Sequence, residues 1–239
     1  MKTTKIKHRL GLAVMALGMT MISLPAKAWE KNEFSVNGSV GMVSDYVWRG
    51  AYQGSGVSVQ PSLTLGYAGL SLNVWGNQSL TKGAKEFDIN LSYAYKNFSI
   101  TVSDYWWSGE DQRYGDYSNS HYFEATLGYS ISESFPLTFS WSTMFAGGDK
   151  NENGKLQGST YISVNYPFAL PYDITLTPAV GFTPWTGMYH DKAAFTDISL
   201  TAKKDIKISK SFSLPIFIQA IVAPVYDRTY LVGGVSIGF

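Results

Sequence analysis

Three observations predict an all-β fold, an antiparallel transmembrane β-barrel of about twelve strands. Apolar and polar residues alternate strictly, connections alternate between short and long, and the chain closes on an alternating strand that ends in Phe239. Alternation places successive side chains on opposite faces of a strand. Val59, Pro61, Leu63, Leu65 and Tyr67 share one face, while Ser58, Gln60, Ser62, Thr64 and Gly66 share the other. The same pattern recurs in Phe87, Ile89, Leu91, Tyr93 and Tyr95, and in Leu137, Phe139 and Trp141. The predicted spans are 34–48, 56–67, 70–78, 86–96, 98–107, 121–131, 136–146, 157–167, 173–184, 195–204, 212–223 and 229–239. Each approaches the roughly ten residues a tilted membrane strand needs.

Ala68-Gly69 and Lys96-Asn97 are tight, and Ser132–Phe135 is short. Ser108–Ser120, Gly147–Leu156 and Pro184–Ala194 are long. Short inner turns and long outer loops are a barrel habit independent of hydropathy. The span 212–223 is apolar on both faces, so its facing is open, as is a kink at Pro215. Aromatics near strand ends (Tyr46, Trp48, Trp75, Trp106, Trp107, Tyr122, Tyr129, Tyr166) read as interfacial girdles. A soluble β-sandwich also alternates, and pattern alone does not say which face is inside.

The ends of the chain favour the barrel. Lys2, Lys5, Lys7 and Arg9 precede a short apolar run, Leu10–Leu24, and Ala26-Lys27-Ala28 has the small-x-small form of a cleavage site. Residues 1–28 are therefore expected to be a cleaved export signal, with one domain over 29–239 in a bacterial outer membrane. Phe239 resembles the terminal aromatic that barrel-insertion machinery reads, so that machinery and outer-membrane lipid are the expected partners.

The chain has 19 basic and 18 acidic residues, and the first 28 hold five of the basic and none of the acidic. The remainder carries 14 against 18, a net charge of −4, which argues against nucleic-acid binding. There is no cysteine, so disulfides and thiolate metal sites are excluded, and no cofactor is expected. After residue 28 no apolar run reaches the roughly 18 residues of a spanning helix. Mean hydropathy is −0.06, as expected where lipid-facing and lumen-facing residues alternate.

Ser44-Asp45-Tyr46-Val47-Trp48-Arg49-Gly50 on the first strand resembles the S-D-Y-x-x-R-G motif of a little-characterised bacterial family of small exported outer-membrane barrels. Asp104–Gly109 and Pro184–His190 extend the resemblance, closest to Bacteroides-type members. The likeness implies fold and location and supplies no activity.

On the twelve-strand map, Asp45, Arg49, Asp88, Glu124, Asp197 and Arg228 fall at the outer mouth, above a neutral lumen of Ser, Thr, Asn and Gly. Asp104 falls at that level too, but its parity turns it outward. The charges form either a selectivity zone for small polar solutes or mutually neutralising pairs that fill a narrow barrel. Asp149, Asn151 and Asn153 match the start of a calcium loop, but Thr160 stands where a bidentate Glu is required, and the segment also suits a turn. Gly234–Gly238 matches G-x-S-x-G but lies in the closing strand, where no helix follows. His121 and His190 are the two histidines after the export segment and the weak catalytic candidates; solvated loop histidines are the plainer reading. The expected function is a narrow channel or binding site for small polar solutes. A closed structural or adhesive barrel and a lipid-modifying enzyme are the alternatives.

Overall fold

A computed structural model describes residues 32–83, 85–209 and 212–238. The export segment 1–28 and Phe239 lie outside the described residues. Residues with two-residue alternation form strands because one face can then meet lipid while the other meets water or side chains. The barrel strands are β1 (Ser35–Val43), β4 (Ser58–Tyr67), β5 (Leu70–Ser79), β7 (Glu86–Tyr95), β8 (Phe98–Trp107), β9 (His121–Ser130) and β10 (Thr138–Gly147). They continue with β11 (Thr160–Asn165), β12 (Phe168–Leu170), β13 (Ile174–Thr183), β14 (Ala194–Lys207), β15 (Ser213–Ala223) and β16 (Arg228–Gly238). β11 and β12 are one stave interrupted at Tyr166-Pro167, since both pair with β13. Every neighbouring pair is antiparallel; β1 pairs with β16, and β11 with both β10 and β13, so the ring closes with twelve staves.

The predicted spans match these staves with two exceptions. The span 157–167 falls instead at Thr160–Asn165 and continues at Phe168–Leu170. The first strand stops at Val43, not at 48. Beyond it a small separate sheet forms from β2 (Tyr46–Trp48), β3 (Ala51–Ser55) and β6 (Lys82–Gly83). The span 213–223 is one unbroken strand, in register with β14 through Pro215. Phe217, Gln219 and Ile221 are its more buried positions, and Ile218, Ala220 and Val222 its exposed ones.

Facing decides between barrel and sandwich. Polar faces are buried and apolar faces exposed: Thr126 is 9% exposed and its neighbour Leu127 59%. Leu63, Leu91, Phe139, Trp141 and Leu200 join Leu127 on the outside, while Ser58, Ser71, Ser92, Ser103 and Ser140 line the inside. A water-soluble sandwich would be the reverse. No helix of the described residues is long and apolar enough to cross a membrane.

The short connections gather at one end, with the start of β1 and the end of β16. Ala68 (φ 47°) and Gly69 (φ 85°) make a two-residue turn with two positive φ angles, the geometry that matches strand twist. The long connections gather at the other end. Two staves carry bulges there, at Met144/Ala146 in β10 and opposite Gly181/Phe182 in β14. The second bulge buries both Thr196 and Asp197, which strict alternation would separate.

Candidate functional site at the barrel mouth

At the long-loop end the chain folds back into its own barrel. β2 and β3 form a hairpin with Arg49 (φ 50°) and Gly50 (φ 85°) at its tip. The tip reaches Glu124 on β9, and Thr196 and Ala223 on β14 and β15. β9 and β14 are far apart around the ring, so the hairpin crosses the mouth.

Each residue of the Ser44–Gly50 motif has a physical task. Ser44 extends β1 by bonding Gly233 twice: its amide donates to the Gly233 carbonyl (2.8 Å) and its Oγ accepts from the Gly233 amide (3.0 Å). Asp45 closes the hairpin base, accepting from Tyr52 Oη (2.7 Å) and the Gly56 amide (3.3 Å). Tyr46 and Trp48 point inward and are buried against Trp75, Tyr105 and Trp107. Gly50 has no alternative, because a Cβ there would strike the Thr196 carbonyl and the φ is positive.

Arg49 is the hub. Its two terminal nitrogens donate to Glu124 Oε2 (2.6 Å) and Oε1 (2.8 Å), a bidentate fork. Nη1 also donates to the Tyr189 hydroxyl. The guanidinium lies over the Tyr161 ring at 4.4 Å and beside the Trp48 ring at 5.0 Å. Glu124 accepts further from Tyr105 Oη (3.0 Å) and Thr126 Oγ1 (3.3 Å). Asp197 accepts from Tyr161 Oη (3.1 Å) and Thr196 Oγ1 (2.9 Å). Tyr189 is presented by the 184–193 loop, where Ser159 Oγ accepts from the Met188 amide (2.7 Å) and donates to Asp149 Oδ1 (2.5 Å).

The wall two staves away is built differently. Asp88, on β7, is 3% exposed, and its Oδ1 has no hydrogen-bond partner. Glu86, two residues earlier and on the same face, is 4% exposed with neither oxygen bonded. The Tyr46 hydroxyl and the Trp48 and Trp107 indole nitrogens are also buried without partners. Below this level neutral side chains bond one another across the inner face: Asn73 donates to Ser62 and Thr64, Ser92 meets Thr101, and Ser140 meets Ser163.

Of the residues singled out in the sequence, Arg49, Glu124, Asp88 and Asp197 converge at the mouth. Asp45 sits at the hairpin base. Arg228 opens β16 at the same long-loop end, exposed and outside the Arg49 cluster. Glu86 was not among them; its inward parity with Asp88 is the pattern that marks it. The aromatic girdle needs correction. Tyr46, Trp48, Trp75, Trp107 and Tyr122 pack inside the mouth, whereas Tyr129 faces outward beside Phe98. They sit within because the inward hairpin offers apolar surface there.

Asp104 faces outward, as its parity predicts, since β8 keeps register with both neighbours. It meets His121, which is buried rather than solvated. His121 Nδ1 lies 2.7 Å from Asp104 Oδ1, and Nε2 lies 2.5 Å from the Tyr114 carbonyl. Tyr117 stacks on the ring at 4.1 Å. Both nitrogens are thus occupied in pinning the 108–120 loop to the outer wall. His190 meets Asp191 (3.1 Å) in a loop. Asn151 Oδ1 accepts from the Asn153 and Lys155 amides, and Asp149 holds Ser159, so these side chains serve the loop itself.

A family model described as "Bacterial protein of unknown function (Gcw_chp)" matches residues 27–226. The chain belongs to the Gcw_chp family. No curated protein sequence matches it. Among solved structures, this Gcw_chp protein is similar to the KdgM porin, at 13% identity and a TM-score of 0.50, covering 86% of this chain and 98% of that one. The same porin in complex with disordered oligogalacturonate gives 12% identity, a TM-score of 0.50 and coverage of 85% and 97%. The translocator domain of the autotransporter NalP from Neisseria meningitidis aligns at 11% identity with a TM-score of 0.34, covering 88% and 89%. At such identities the porin likeness speaks for the fold.

Proposed function

We propose that this chain is an outer-membrane channel for small polar solutes, narrowed at its outer mouth by the Tyr46–Ser55 hairpin. The observation that carries this reading is the lumen: a closed ring of staves with Ser, Thr and Asn inside and apolar side chains outside. Such a wall offers hydrogen bonds to passing solutes and no strong apolar trap. The short-turn end faces the periplasm and the long loops face the exterior, as in other single-chain barrels. Lipid packs against the apolar exterior. The hairpin is tethered at its base by Ser44 and Asp45 and held at its tip by one ion pair, so release of the Arg49–Glu124 fork widens the passage without unfolding the ring.

The test is current through the refolded protein, cleaved after Ala28, in a planar bilayer, with flux of small sugars into liposomes alongside. Steady, salt-dependent conductance is expected. Silence from protein shown to be folded and inserted would replace this reading with a second one, a closed structural barrel. That alternative draws on the way Trp48, Tyr105, Met144 and Tyr189 fill the mouth. A lipid-modifying activity is less well supported, since neither imidazole bonds a serine hydroxyl among the described residues.

A further inference from the structure

We infer that the Glu86–Asp88 wall of the mouth is a binding site for a small monovalent cation, which makes the passage cation-selective. Two carboxylates stand on one face of β7, each more than nine-tenths buried. Three of their four oxygens have no hydrogen-bond partner. The charged groups nearest Asp88 are carboxylates as well: Glu86 on the same face, Glu124 two staves away, and Asp104 on the outer face of β8. Facing Glu86 are the Tyr46 phenol and the Trp107 indole. Tyr46 is itself 2% exposed, and its hydroxyl stands close enough to Glu86 for the two to interact.

No described Lys or Arg forms an ion pair with either carboxylate. Arg49, the cation at the hairpin tip, is committed to Glu124 through both terminal nitrogens. The acidic groups that remain are Glu86, Asp88, and Asp197 with its neutral hydroxyl partners. A buried carboxylate without a partner is costly, and a bound cation relieves two of them at once. The chemistry is opposite to what a polyanionic sugar requires. The oligogalacturonate found with the KdgM porin would meet repulsion here.

The site is independent of conduction; the selectivity rests on the channel reading above. Two measurements separate them. The first is tryptophan fluorescence of the folded protein, titrated with K+ at constant ionic strength against N-methylglucamine. A saturable change is expected, lost in the Glu86→Gln/Asp88→Asn variant. A flat titration of folded wild type, or an unchanged response in the variant, overturns the site. The second is the reversal potential in a KCl gradient. Potassium is expected to be favoured over chloride by about threefold or more, falling toward parity in the same variant. Current without cation preference overturns the inference and leaves the channel standing. Silence alongside a positive titration overturns the channel and leaves the site.

Discussion

The two walls that face the hairpin carry opposite electrostatic solutions. On the β9 wall one buried cation meets one buried carboxylate in a bidentate fork, and Tyr105, Thr126 and Tyr189 complete the shell. On the β7 wall two carboxylates are buried with no cation. At about 7 Å apart and an effective dielectric of about 20, they repel by about 2 kcal/mol when both are charged. One wall grips the hairpin and the other resists burial beneath it. A mouth built with only the first would be a permanent plug. Under the channel reading proposed above, this pairing leaves the hairpin seated by a small margin, as a gate requires.

The largest expected effect comes from breaking the gripping wall. Arg49→Ala leaves Glu124 buried and unpaired, a loss of about 3–5 kcal/mol unless the hairpin moves. The expected result is release: amide exchange protection across 46–55 collapses while that of the twelve staves persists. Gly50→Val comes next. Its Cβ would collide with the Thr196 carbonyl and its φ of 85° is unfavourable for a β-branched residue, so the hairpin seats poorly, with loss of about 2 kcal/mol. Conductance intermediate between wild type and Arg49→Ala checks this.

Glu86→Gln with Asp88→Asn acts on the resisting wall and has the opposite sign. Removing two uncompensated charges stabilises the seated hairpin by about 1–2 kcal/mol, read as slower exchange at the Tyr46 and Trp48 amides. Smallest of all is Arg228→Ala. That side chain is exposed at the end of β16, and such surface changes stay within about 0.5 kcal/mol, so ion selectivity should match wild type.

Most of the ring was legible because alternation and loop length are local properties of the chain. The mouth was legible in composition and not in direction. Asp88, Glu124 and Asp197 follow from strand parity and level. Arg49 carries the same charge whether it ends a strand or tips a hairpin, and the alternating run through Tyr46 and Trp48 continues past the point where β1 leaves the ring. The deciding local feature is the Arg49-Gly50 pair, a two-residue turn like Ala68-Gly69 at the other end. Trp48 and Trp107 read as lipid-facing because an aromatic near a strand end meets either a membrane interface or an inward loop, and only the fold chooses. His121 read as solvated for a related reason: the 108–120 loop that covers it joins it through Tyr114 and Tyr117, contacts that no periodicity encodes.

The most direct test of the gate is a side-by-side current recording of wild type and Arg49→Ala in the same bilayer, at matched protein and salt. A small steady conductance in wild type, rising several-fold in the variant with the barrel intact, is the predicted result. Equal conductance in the two would contradict the claim that the Arg49–Glu124 fork holds the hairpin across the passage.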